Sequence, residues 1–255
     1  SDRVGRKWLM LGACLLGAAT IQPAFHLLAR AVNPALMAAN EKNPVTLQAN
    51  PAACGMVIFA DPKTGCQKVR ALLSKAGVQF TTLDLEGDQT LLTIPGVDPA
   101  KVGGEPSERE EGPGDSVFVI EGAEVPAADI RAHLTAAGYP AKADPAQMNW
   151  PLAIAVLTWL VTIAAMIYGP IAAFLVELFP TRIRYTSLSL PYNISNGLIG
   201  GFQPFVSFAI ITATGDIFAG LWYPIAVAAL CFVVGALLMP ETKDRSLHDD
   251  DARPA

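Results

Sequence analysis

The chain has 255 residues, 52 % of them hydrophobic and 16 % charged, with a mean hydropathy of +0.37. Such a composition excludes a disordered or collagen-like chain and fits badly with a fully solvated surface. With 18 Lys and Arg against 23 Asp and Glu, the net charge of −5 argues against a nucleic-acid partner.

Four stretches, Trp8–Ala29, Trp150–Val176, Ser187–Ala213 and Ile217–Met239, contain no Asp, Glu, Lys or Arg. Each reaches the roughly 20 residues that cross a hydrocarbon core, whereas helices of ordinary domains run about 11–12. All four are predicted to be transmembrane helices. Lys and Arg collect on cytoplasmic flanks. Here Arg3, Arg6 and Lys7 precede the first span, Arg182 and Arg184 lie between the second and third, and Lys243 and Arg245 follow the fourth. The other side holds the short turn Thr214–Asp216, without a cation, and Ala31–Asn149, with 9 Lys and Arg against 15 Asp and Glu. Both chain ends are therefore expected to be cytoplasmic and the long segment external. Arg30 breaks the pattern and is expected to snorkel to the headgroups.

At the first span, Arg3 to Lys7 followed by apolar residues, with Ala29-Arg30-Ala31 beyond, also fits a signal peptide and its cleavage site. The apolar run exceeds the 7–15 residues of a signal core, which favours an uncut span. Cys14 and Cys231 read as small apolar residues inside spans. His26, in the first span, is a possible proton carrier or a packing histidine.

Ala31–Asn149 carries Pro, Gly and charge and is loosest at Lys101–Asp115. Its ordered parts read as a strand Met56–Ala60, a helix Gly65–Lys75, strands Phe80–Leu85, Leu91–Ile94 and Val117–Ile120, and a helix Ala127–Ala137. The fold class expected is thus four transmembrane helices with a small extramembrane α+β insert. Cys54 and Cys66 share the outer, oxidising side, so a disulfide between them is the natural pairing. The sharper alternative is a thioredoxin-like site, because a strand, Cys66 at a helix start and a later strand resemble the order in glutaredoxin. Asp61-Pro62-Lys63-Thr64-Gly65-Cys66 contains no C-x-x-C, which weighs against redox catalysis.

The opening Asp2-Arg3-Val4-Gly5-Arg6-Lys7 sets an acid and three bases around a glycine that permits a tight turn. These residues serve either as interfacial anchors or as something more specific, for they resemble the D-R-x-G-R-[RK] loop of major facilitator superfamily transporters. Further along, Tyr168-Gly169-Pro170, then Glu177-Leu178-Phe179-Pro180-Thr181-Arg182-Ile183-Arg184-Tyr185-Thr186, Gly200-Gly201-Phe202-Gln203-Pro204 and Pro240-Glu241-Thr242-Lys243 come in order. Together they resemble the C-terminal third of a metabolite:proton symporter of that superfamily, the group that includes proline/betaine, shikimate and dicarboxylate importers. Sugar porters share the Pro-Glu-Thr-Lys ending and are the nearest rival.

The resemblance covers Ser1–Ala31 and Asn149–Arg245 and implies that the spans correspond to helices nine to twelve of twelve. It implies a cytoplasmic loop and first span over 1–30, a periplasmic insert over 31–149, three spans over 150–245 and an acidic cytoplasmic tail over 246–255. The implied activity is proton-coupled uptake of a small polar metabolite, an organic acid or a compatible solute, by rocking of two six-helix halves in a bacterial inner membrane. Partners would be the metabolite, protons, the lipid bilayer and the missing N-terminal helices of the same transporter, which would carry the coupling carboxylates. No cofactor or enzymatic activity is expected, since no metal spacing, nucleophile–base pair or phosphate loop is recognisable. A membrane-tethered periplasmic binding or redox module is the alternative from a different class.

Glu177 lies near the C-terminal end of its helix, where the macrodipole disfavours an anion, so it should require a cation from Arg182, Arg184 or Arg6. Asp2 could face the exposed N–H groups near Thr186 and Ser187. In the resembled family such contacts, with Arg3 and Gly5, hold the cytoplasmic gate closed. In the third span Asn193, Asn196, Gly200, Gln203 and Ser207 lie at successive offsets of 3, 4, 3 and 4 and would share one face of an α-helix. Amides are costly in lipid, so this face should line water, substrate or another helix, while Gly197 and Gly201 invite close packing. The resemblance makes it substrate-facing. Trp159 and Tyr168 could stack on a cationic solute or pack, and Gly169-Pro170 should break or bend the second span.

Overall fold

The computed structural model describes residues 5–52, 54–56, 61–85, 89–95, 116–121, 125–178 and 184–240. They fall in two compact units, one of residues 1–25, 154–204 and 221–255, the other of 26–153 and 205–220. Asp2, Arg3, Arg182, the loose stretch 101–115 and the tail 246–255 lie outside the described residues, as does the expected strand Met56–Ala60 beyond Met56.

Four helices are long and apolar enough to cross a membrane. The first is α1, Arg6–Val32, which extends two residues beyond the expected boundary at residue 30. After the short α2, Pro34–Lys42, comes the insert, with α3 (Gly65–Ala76) and α4 (Ala127–Ala136) among its strands. The second span is α5, Trp150–Leu178. It runs through Gly169-Pro170 as one helix, so of the expected break or bend the break does not occur.

The third span is not uniform. It consists of α6 (Arg184–Ile194), a π-helical turn (Ser195–Gly200) and α7 (Gly201–Thr214). Pro204 has no N–H to give the carbonyl four residues earlier, at Gly200, and its ring crowds that carbonyl. The widened turn ends at this point, with the Gly201 N–H reaching back to Asn196 O. The fourth span opens with a 3₁₀ turn, Ala219–Leu221, and continues as α8, Trp222–Leu238.

In the insert, β1 (Val45–Ala49), β2 (Phe80–Asp84), β3 (Gln89–Ile94) and β4 (Ser116–Glu121) form one sheet in the order β2-β1-β3-β4. β1 runs parallel to β2 through α3 and antiparallel to β3, with Leu47 opposite Leu92. β3 and β4 pair antiparallel. β1 and α2 were not expected from the sequence. Yet Val45, Leu47 and Ala49 alternate with polar residues and are all buried, a strand pattern, and Asn33 followed by Pro34 is a helix start. The core joins Leu47, Leu92 and Ile94 of the sheet to Leu73 of α3 and Ile130 of α4, all fully buried.

The first turn of α3 closes a capping box between Thr64 and Gln67, and Gly77, at φ +73, caps its end in the left-handed region. Cys66 at its start is bonded to Cys54, with a Cα–Cα distance of 5.4 Å. Buried Arg70, one turn on, donates to Cys54 O at 2.8 Å and to Thr82 Oγ1 at 3.1 Å, which fastens the disulfide loop to β2. Burial pushes its guanidinium below the ordinary value.

Removing the cross-link should destabilise the insert by about 2–3 kcal/mol. The paired substitution Cys54→Ala and Cys66→Ala is expected to speed exchange of the β1 amides roughly 30- to 150-fold in the whole chain. Unchanged exchange would refute a stabilising disulfide.

His133 of α4 is buried edge-on to Phe118, with ring centroids 4.9 Å apart. Burial pushes its imidazole pKa down, against a smaller upward pull from Asp129. The unfolded chain therefore takes up the proton first. Stability present above the ordinary histidine value of about 6.5 is lost as pH falls from there through the lowered folded value. Insert amides should exchange faster on acidification across that window, and His133→Leu should flatten the dependence.

Candidate functional site

One cluster forms where α1 begins. Gly5 is buried at φ +97, a left-handed conformation that turns the chain into α1. Arg6 Nη1 pairs with Glu177 Oε2 from the last turn of α5, their side chains 13 % and 11 % exposed. Glu177 thus receives the cation that its place at a helix C-terminus demands, and it comes from Arg6. Lys7 Nζ donates at 3.1 Å to Ala236 O in the last turn of α8, again a cation at a negative helix end. Arg184 opens α6, and its side chain lies outside the described residues.

A second group lies on the third span. Asn193 Nδ2 donates to Ser189 O at 2.8 Å and Asn196 Nδ2 to Tyr192 O at 3.1 Å, each one turn back on its own helix. Each amide keeps its oxygen and a second N–H for another partner. An open, mainly apolar face of this span is lined by Thr186, Ser189, Leu190, Asn193, Ile194, Gly197 and Leu198. Asn196 and Gln203 do not line it. The π-helical turn bears on Gln203, because one residue added to a turn rotates every later position by roughly 100°. The spacing expected of an unbroken α-helix between Asn193 and Gln203 is therefore interrupted within the span. Ser207 Oγ is engaged with Gly220 O at 3.0 Å.

On α5, Trp159 Nε1 donates to Thr20 Oγ1 of α1 at 3.2 Å, a helix–helix contact. Tyr168 is 59 % exposed, and nine residues along an α-helix place it about half a turn from Trp159. The two aromatics therefore do not share a face. His26 stacks on Phe218, centroids 3.7 Å apart.

Sequence reasoning missed Tyr223, whose hydroxyl donates to Ile199 O at 2.9 Å within the π-helical turn. The available signal was Pro204, whose missing N–H leaves a carbonyl of the preceding turn in need of another donor. It also missed Thr20, for which a lone threonine in an apolar run gave no signal.

No family model and no solved structure matches the chain. Curated relatives do. Over 70 residues, 28 % of this chain and 15 % of the relative, it is 39 % identical to a Staphylococcus haemolyticus protein named as a proline/betaine transporter. Over 78 residues, 31 % of this chain and 17 % of the relative, it is 37 % identical to a citrate-proton symporter of Klebsiella pneumoniae. Over 86 residues, 34 % and 19 %, it is 36 % identical to an inner membrane metabolite transport protein of Escherichia coli. The match spans less than a fifth of each of these relatives. They are metabolite transporters of the major facilitator type, as the sequence motifs imply, and the likeness covers part of this chain.

Breaking a largely buried pair leaves one charge uncompensated, at a cost of about 3–5 kcal/mol. Glu177→Ala and Arg6→Ala are each expected to lower the thermal stability of the chain in detergent, and the exchange Arg6→Glu with Glu177→Arg to recover part of it. Single variants as stable as the parent would show that the pair contributes nothing.

Proposed function

We propose that the chain is the C-terminal part of a multi-pass inner-membrane transporter that takes up a small polar metabolite, an organic acid or a compatible solute such as proline or betaine, with protons by alternating access. The observation that carries this reading is the third span. Only 6 % of its most apolar stretch is buried, and Asn193, Asn196 and Gln203 stand exposed on it. Amides are poorly matched to lipid, so further helices of the same transporter would cover them, with solute between. A tether for an outer domain has no need of such a surface.

In this reading Asn193, Asn196 and Gln203 offer hydrogen bonds to the solute and Tyr168 a hydroxyl, while Trp159, already bonded to Thr20, positions α5 against α1. Asp2, Arg3, Gly5, Arg6, Glu177, Arg182 and Arg184 form the cytoplasmic gate, with the Arg6–Glu177 pair as its core. A gate of this kind must open, and an ion pair can re-form with each cycle. Both chain ends are cytoplasmic and the insert is periplasmic. The names of two relatives, for proline/betaine and for citrate with protons, support the solute class.

A hydrogen bond lost to a bound solute typically costs about 0.5–1.5 kcal/mol, or roughly 2- to 13-fold in affinity. In the full-length parent, Asn193→Ala, Asn196→Ala and Gln203→Ala are each expected to weaken apparent affinity by that factor without preventing insertion, and Ile199→Ala to leave it unchanged. Uptake kinetics normalised to folded protein decide the matter, and normal affinity in all three amide variants would remove the assignment. A membrane-impermeant thiol reagent should label Cys54 and Cys66 in intact cells only after reduction.

A further inference from the structure

At the insert end of the spans, contacts within one compact unit, residues 26–153 and 205–220, close into a ring. The last turn of α1 holds the residue preceding α5, because Asn149 N donates to Ala31 O at 2.8 Å. α2 comes directly after α1, with Asn33 capping its start. From α2, the buried Asn40 pins the approach to β2: its Nδ2 donates to Gly77 O at 3.1 Å and its Oδ1 accepts from Gln79 N at 2.9 Å. Gln79 and its neighbour Phe80 grip the turn between α7 and α8. Phe80 N donates to Gly215 O at 3.1 Å and Gln79 Nε2 to Asp216 Oδ1 at 3.2 Å. Asp216 Oδ1 also accepts from Phe218 N at 2.9 Å, and the Phe218 ring stacks on His26 of α1, which completes the circuit.

Two glycines set how closely these parts meet. Gly215 sits at φ +77, and a Cβ there would collide with Phe80 O, so the grip is backbone on backbone with no space for a side chain. At Gly220 a Cβ would lie 2.8 Å from Ser207 O, a close approach that the Ser207 hydroxyl bond to Gly220 O reinforces. The base of the insert is held as well: Asn43 Nδ2 donates to Ala137 O at 2.7 Å, and the Tyr139 hydroxyl donates to Asn43 O at 2.6 Å. Burial holds the Tyr139 phenol protonated, its pKa pushed up to about 12. A domain on a flexible tether would have no such circuit.

We infer that the insert is a clasp: it binds the insert-side ends of α1, α5 and α7 and the α7–α8 turn into one body, so that it moves with these ends and does not swing as a separate receptor domain. The clasp stands on the contacts alone. Its consequence for a transport cycle, that this rim moves as one piece, rests on the transporter function proposed for the chain.

The test uses the whole chain in lipid nanodiscs. Amide exchange should show Phe80 and Asn149 protected to the level of the β1 core. Gly215→Ala should speed exchange at Phe80 and Phe218 at least tenfold and leave β1 and β3 unchanged. Should that variant fail to fold, Gln79→Ala with Asp216→Ala, which spares the glycine, should give the same selective loss. Spin labels at Lys75→Cys and Ala213→Cys, with Cys14 and Cys231 replaced by Ala, should report one narrow distance with and without proline, betaine or citrate at neutral and acid pH. The clasp is overturned if Phe80 of the unsubstituted chain exchanges like an exposed loop amide, or if two label distances appear. A full-length parent that moves no solute yet keeps the single distance would refute the transporter reading and support the clasp.

Discussion

A peptide group inside hydrocarbon has no water to bond, so each irregularity in a membrane helix must be repaired by a neighbouring group. Pro204 removes one N–H from the third span, the helix widens to a π turn before it, and Tyr223 from α8 supplies a donor to Ile199 O. The side-chain amides of Asn193 and Asn196 bond their own backbone one turn back.

Helix ends impose a related constraint, since the carbonyls of a last turn carry a partial negative charge. The cationic start of α1 meets two such ends, through Arg6 beside Glu177 of α5 and Lys7 on Ala236 O of α8. One short basic segment thereby serves three helices. At the insert-side ends an exposed Arg30–Glu41 pair joins α1 to α2, and backbone approaches at Gly215 and Gly220 with hydrogen bonds to Asp216 join the rest.

The insert shows why topology alone does not assign chemistry. A parallel β1–α3–β2 unit with Cys66 opening α3 has the order that suggested a thioredoxin-like site. Thiol exchange requires an accessible sulfur, and Cys54 and Cys66, 12 residues apart, are 5 % and 1 % exposed. The geometry suits a fastening for the core.

What the sequence by itself determined were features encoded locally. Long uncharged runs specify spans whatever surrounds them, and the helix at Gly65 announces itself through Thr64, Gln67 and Gly77. The insert's helices and strands after residue 64 were legible from apolar periodicity, and the cysteine pairing from compartment and number. Tertiary structure alone decided which partner satisfies each group. Glu177 is paired with Arg6, 171 residues away in the chain, and only folding brings the two together. Val45–Ala49, five residues of modest hydrophobicity, becomes the strand between β2 and β3 because distant strands pair on both of its edges. The 3-and-4 spacing from Asn193 to Ser207 specifies one face only if every turn has the α-helical width, and the π-helical turn Ser195–Gly200 departs from that width. Periodicity is a property of neighbouring residues, but partner choice depends on segments far apart in the chain, and no local pattern carries it.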